Sequence, residues 1–135
     1  MFNIEKMDKT SARNLNPQVQ AFIGDGVYSL YVRHRLLLDK KLQGSDLHNA
    51  VTNYVKAGGQ SQFIGSILPM LNEEELYVFK RARNHKTLSQ SKNASIVDYR
   101  RATGLEAVLG YLYLIGDETR LKELLEKSIG EENED

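Results

Sequence analysis

Two carboxylates in the 135-residue chain stand out by their isolation. Asp25 lies in AFIGDGVYSLYVRH, a largely apolar stretch, between Gly24 and Gly26. Glu106 is the only charge in ATGLEAVLGYLYLIG, with Gly104, Ala107 and Gly110 around it. Both stretches read as helices, and glycine inside a helix costs about 0.5–1 kcal/mol relative to alanine. Small residues kept at that cost point to two backbones that approach closely where helices cross. A carboxylate on each would then bring two acids together. Like charges held together in a partly buried place need compensation. Mg²⁺ provides it with one or two carboxylates, filling its other positions with water and substrate phosphate oxygens. The chemistry that fits is metal-assisted attack on a phosphodiester. The same acids could instead be rim residues or ion-pair partners of Arg33 or Arg100, and the spacing leaves both readings open.

The charge pattern bears on the partner. The formal net charge is zero, with 18 basic and 18 acidic residues. Their distribution is uneven. Between Lys80 and Arg101 there are seven basic residues and one acid, whereas Asp117 to Asp135 holds eight acids and three bases. A basic middle and an acidic tail cancel in the sum, and the local field is what steers an anion. Cysteine is absent, which rules out disulfides and cysteine-based zinc sites and suits a reducing compartment. No apolar run approaches the roughly 20 residues of a membrane span. The N-terminus, MFNIEKMDKTSARN, lacks the apolar region of a secretion signal. A cytoplasmic location is expected.

The elements that must position the acids are all helical by periodicity, in one domain. Asn16-Pro17 starts a helix expected to run to about Leu38, with Asn as cap and Pro at the first helical position. Ser45-Asp46 is expected to cap a second helix, DLHNAVTNYVKA, stopped by Gly58-Gly59. A shorter helix, QSQFIGSIL, ends at Pro69. Asn72 with Glu75 forms a capping-box start for EEELYVFKRARN, which is acidic in its first turn and basic in its last. HKTLSQSKNAS (His85 to Ser95) breaks the pattern as a polar loop. Ser95 with Asp98 restarts a helix that Gly116 ends. Asp117 caps a last helix, ETRLKELLEKSI, before an acidic tail, GEENED, expected to be disordered. The three histidines, His34, His48 and His85, lack metal-ligand spacing. Phe22, Val27, Tyr28 and Tyr31 are candidates for core or for a contact between two copies, and the sequence does not separate the two.

Three of these stretches resemble one family. FIGDGVYSLYVRHRLL is similar to the signature helix of ribonuclease III, whose core is a Phe-Leu-Gly-Asp-Ala pattern. RATGLEAVLGYLYL resembles its second acidic motif, Leu-Glu-Ala followed by Gly and Tyr-Leu. KRARNHKT resembles the Arg-Asn-x-Lys motif of the short bacterial branch, Mini-ribonuclease III. The order and spacing match over about Asn16 to Ile129. Against the full-length enzymes, Ala21 and Thr103 stand where those have two further acids, and Gly26 replaces the usual alanine. The resemblance implies an all-α ribonuclease III-type catalytic domain over residues 1–135, with residues 131–135 as tail and no double-stranded-RNA-binding domain.

What the resemblance implies about function goes further. It implies a homodimeric, Mg²⁺-dependent endoribonuclease that cleaves double-stranded RNA by metal-activated water and leaves 5′-phosphate and 3′-hydroxyl ends, with Mn²⁺ able to substitute. Asp25 and Glu106 carry over as catalytic metal ligands. Arg83, Asn84 and Lys86 map onto the RNA-binding motif, with Lys92 and Arg100 as further RNA contacts. A role in maturing the 23S ribosomal RNA precursor, and a ribosomal protein that shapes that substrate as a partner, also follow from the resemblance alone. Two other readings compete: an RNA-binding relative that has lost cleavage, and a helical protein-interaction module. The second leaves Asp25, Glu106 and the basic stretch unrelated.

Overall fold

Helix α6 (Ile96–Ile115) is the axis of the molecule. From Ala102 to Leu112 it is buried almost all round, as expected of a helix that is apolar on every side. Helix α2 (Pro17–Leu37) lies along one flank of it and α5 (Glu73–Asn84) along another. The computed structural model describes residues 2–39, 41–85 and 95–129, and all its regular structure there is helical. The remaining helices are α1 (Lys9–Arg13), α3 (Gly44–Val55), α4 (Ser61–Ile67) and α7 (Glu118–Leu125), with tight 3-10 turns at Gly58–Gln60 and Leu68–Met70. None of the described helices is long and apolar enough to cross a membrane.

Most helix ends follow the expected chemistry. Asn16 accepts from the Gln18 amide (2.8 Å), and Pro17 opens α2. Asn72 and Glu75 close a reciprocal capping box at 2.8 and 3.0 Å. Ser95 accepts from the Asp98 amide (3.0 Å), and Gly116 ends α6 in the left-handed conformation (φ 76°) that favours glycine. Two expectations and one omission need correction. Helix α7 ends at Leu125, four residues short of the expected Ile129. Helix α3 starts a residue or two early, at Gly44 after Gln43, so Ser45 and Asp46 lie inside its first turn and Gln43 makes no side-chain cap. Helix α1, capped by Asp8, went unpredicted: five residues are too short for a periodic signal. The expected polar loop falls mostly on residues 86–94, outside the described residues, as do the tail positions 131–135.

The core explains why α2 and α6 hold still. Pro17, Gln20, Ala21, Gly24, Tyr28, Val32 and Leu36 form a stripe along α2 at three- and four-residue spacing. Tyr28 is fully buried and stacked on Phe63, with ring centroids 5.3 Å apart. It is therefore core, whereas Phe22 is 77% exposed; Val27 and Tyr31 are half-buried. Helix α7 is fastened from outside the apolar core. Buried Glu75 accepts from Arg120 Nε and Nη2, both at 2.8 Å, and Arg120 Nη2 also reaches the Met70 carbonyl at 2.6 Å. That fork-shaped pairing is strong because it is planar and charge-assisted.

Candidate active site

The crossing of α2 and α6 is set by two glycines. A Cβ built on Gly24 would lie 1.6 Å from the Glu106 carbonyl oxygen. One built on Gly110 would lie 2.0 Å from the Gln20 carbonyl oxygen. Only glycine at both places lets the backbones meet. The same contact puts Asp25, the next residue on α2, beside Glu106 on α6. Gly26 plays no such part, since a Cβ there meets nothing within 4 Å. Gly104 serves a different neighbour, Phe79 of α5, at 2.9 Å. The expected link between small residues and a close crossing therefore holds for Gly24 and Gly110, and not for Gly26 or Gly104.

Asp25 and Glu106 face one cavity of about 330 Å³. Gln18, Ala21 and Phe22 of α2 line it, as do Tyr99, Arg100 and Thr103 of α6, and Ala82 and His85 at the end of α5. Asp25 is exposed and Glu106 half-buried. Burial pushes the Glu106 carboxyl up to about 8, and the Asp25 charge and a hydrogen bond between the two acids push in the same direction. A hydrogen bond from Gln60 Nε2 to Glu106 Oε2 (3.2 Å) acts the other way. Without a cation the Glu106 carboxyl is thus biased toward its protonated form. Among the described residues no ion pair joins Arg33 or Arg100 to either acid, so the ion-pair alternative fails.

Two neighbouring carboxylates at one cavity suit a cation. No cluster of three or more His, Cys, Asp or Glu capable of holding a metal occurs among the described residues. Two carboxylates alone fit an ion that keeps several waters and accepts substrate phosphate oxygens, which is the habit of Mg²⁺. The residues missing from a fuller acid set are visible at the cavity wall: Ala21 is buried there, and the Thr103 hydroxyl is turned back to the Tyr99 carbonyl (2.9 Å).

The Ribonuclease III domain model matches residues 18–117. The chain belongs to the ribonuclease III family. Relatives named Mini-ribonuclease 3 place it in the short branch. The chain is similar to that of Clostridium tetani, with 46% identity over 90% of this chain and 81% of the relative. It is similar to that of Brevibacillus brevis with 44% identity over 93% and 94%. A solved structure of a Fusobacterium nucleatum protein matches with a TM-score of 0.73 and 31% identity, covering 84% of this chain and 90% of that one. The chain is thus an endoribonuclease of the ribonuclease III type, a class that acts on double-stranded RNA and works with a divalent metal.

Within this ribonuclease III domain the sequence-named RNA contacts separate. Arg100 lines the cavity with the acids. Arg83 does not: its guanidinium lies over the Phe79 ring (5.8 Å) and donates to Asn84 Oδ1 (3.1 Å). Asn84 is exposed at the last turn of α5. Lys86 and Lys92 lie outside the described residues. Gln60, His85 and Tyr99 had no assigned place at the acid pair. Tyr99 could have been found from α6 itself, seven residues before Glu106 on one helix face. Gln60 could not: it reaches Glu106 from a turn 46 residues away.

Proposed function

We propose that Asp25 and Glu106 together hold Mg²⁺, with Mn²⁺ able to replace it, and that the chain uses this site to hydrolyse double-stranded RNA. The observation that supports this is the acid pair sharing one open cavity at a glycine-set crossing. A divalent ion bound there would polarise a phosphate oxygen and lower the pKa of a water. The chain's own residues do the rest. Gly24 and Gly110 fix the distance between the two acid-bearing backbones. Arg100 stands in the cavity wall to neutralise phosphate, as a guanidinium does with its planar fork. Arg83 and Asn84, at the end of α5, with Lys86 and Lys92 beyond, grip the phosphates and 2′-hydroxyls through which A-form RNA is recognised. We read residues 1–135 as one catalytic domain.

The products are 5′-phosphate and 3′-hydroxyl ends, and the substrate is the 23S ribosomal RNA precursor, shaped for cutting by a ribosomal protein in the cytoplasm. The working form is a homodimer with one site per strand. The apolar face of α2 supports it: Phe22 and Leu30 are exposed, as is Leu38 just past its end, and a groove of about 630 Å³ runs along Ile23, Gly26, Val27, Leu30 and Tyr31. The test is cleavage of an end-labelled RNA duplex in Mg²⁺. Asp25→Asn and Glu106→Gln should fold normally and cut at least about a hundredfold more slowly. Wild-type rates for both would refute the site.

A further inference from the structure

The turn Gly58–Gln60 brings one polar side chain to the acid pair from outside the two acid-bearing helices. Gln60 is 1% exposed. Its backbone amide is tied to the Lys56 and Ala57 carbonyls at 3.2 and 3.3 Å. The preceding residue wedges the turn against α3, since a Cβ on Gly59 would lie 1.7 Å from the Asn53 carbonyl oxygen. The side chain thus enters the interior from a fixed backbone.

Both amide hydrogens of Gln60 are committed. Nε2 donates to the Val55 carbonyl at 2.8 Å and to Glu106 Oε2 at 3.2 Å. The amide cannot be turned round, because its oxygen would then face the Val55 carbonyl, an acceptor with no hydrogen to give. In the orientation it holds, Gln60 Oε1 is buried without a hydrogen-bond partner among the described residues. A buried acceptor without a partner is unfavourable. The Gln20 amide is buried in the same way, so what sets Gln60 apart is its contact with Glu106.

We infer that Gln60 is a positioning residue for Glu106: its amide fixes the rotation of the buried carboxylate by holding Oε2, so that the group faces Asp25 and a divalent cation. This rests on the reading of Asp25 and Glu106 as metal ligands. Hydrogen bonds to ligating carboxylates orient them, and their loss typically weakens metal binding ten- to a hundredfold.

The test is Mn²⁺ binding to the RNA-free protein, read by electron paramagnetic resonance, for wild type, Gln60→Met, Asp25→Asn and Glu106→Gln. Methionine keeps the length and removes both donors. Folded Gln60→Met should bind Mn²⁺ about ten- to a hundredfold more weakly, and its cleavage rate should recover as Mn²⁺ is raised. A role confined to capping Val55 would lower stability and leave the Mn²⁺ Kd where it was. Wild-type Mn²⁺ binding by folded Gln60→Met, with binding lost in the two acid variants, overturns the inference alone. Wild-type binding by the acid variants as well overturns the metal-site reading and the inference with it. Should Gln60→Met not fold, the wild-type protein decides: the Gln60 side-chain NH₂ resonances should shift on Mg²⁺ titration, and no shift at saturation overturns the inference.

Discussion

Two glycines two residues apart should respond to the same substitution with opposite signs. In Gly24→Ala the new methyl begins 1.6 Å from the Glu106 carbonyl oxygen and must reach the ordinary contact range near 3.4 Å. Helices α2 and α6 would have to part by about 1.8 Å along that line. The obstacle is backbone, which cannot rotate away as a side-chain end can. Overpacking of this kind costs about 1–3 kcal/mol, sometimes more, and the better helix propensity of alanine returns less than about 1 kcal/mol. A net loss of about 2 kcal/mol should lower Tm by roughly 10 °C in a domain of this size. Parting the helices also separates Asp25 from Glu106, and a misplacement of about 1 Å at a reacting centre can cost a hundredfold in rate. In Gly26→Ala the methyl meets nothing within 4 Å. That variant should gain about 0.4–1 kcal/mol within the single chain, chiefly by restricting the unfolded state. The assay is thermal unfolding by circular dichroism beside duplex RNA cleavage. If Gly24→Ala melts and cuts like wild type, the close crossing is not what assembles the site.

Arg120→Met should strand the buried Glu75 carboxylate without its bidentate partner, losing about 3–5 kcal/mol in urea unfolding. Arg120→Lys should rescue little of it, because lysine lacks the planar fork. Burial and Asp25 raise the Glu106 carboxyl from 4.5 to about 8, so the folded protein binds this proton more tightly than the unfolded chain does. Metal-free stability should therefore fall as pH rises from 4.5 through about 8, and Glu106→Gln should flatten that dependence in a pH series of melts. Phe22→Asp should yield a monomer by light scattering, since it puts a charge on the exposed apolar face of α2. A dimer of unchanged strength would place the contact elsewhere.

The sequence by itself determined the longer helices and several of their ends, because caps are local. Asn16-Pro17, the Asn72–Glu75 box, Ser95 and Gly116 act within a few residues of where they stand. It also singled out Asp25 and Glu106, since a lone charge in an apolar helix is visible without coordinates. It could not tell which glycines matter. Gly24 and Gly26 look alike in the chain, and only the position of α6 separates one that touches backbone from one that faces open space. Nor could it bring Gln60 to Glu106 from a distant turn. Local hydrogen bonds and periodicity are written in neighbouring residues. The approach of two backbones, and the burial that raises Glu106, arise only when the helices pack, so only the tertiary structure decided them.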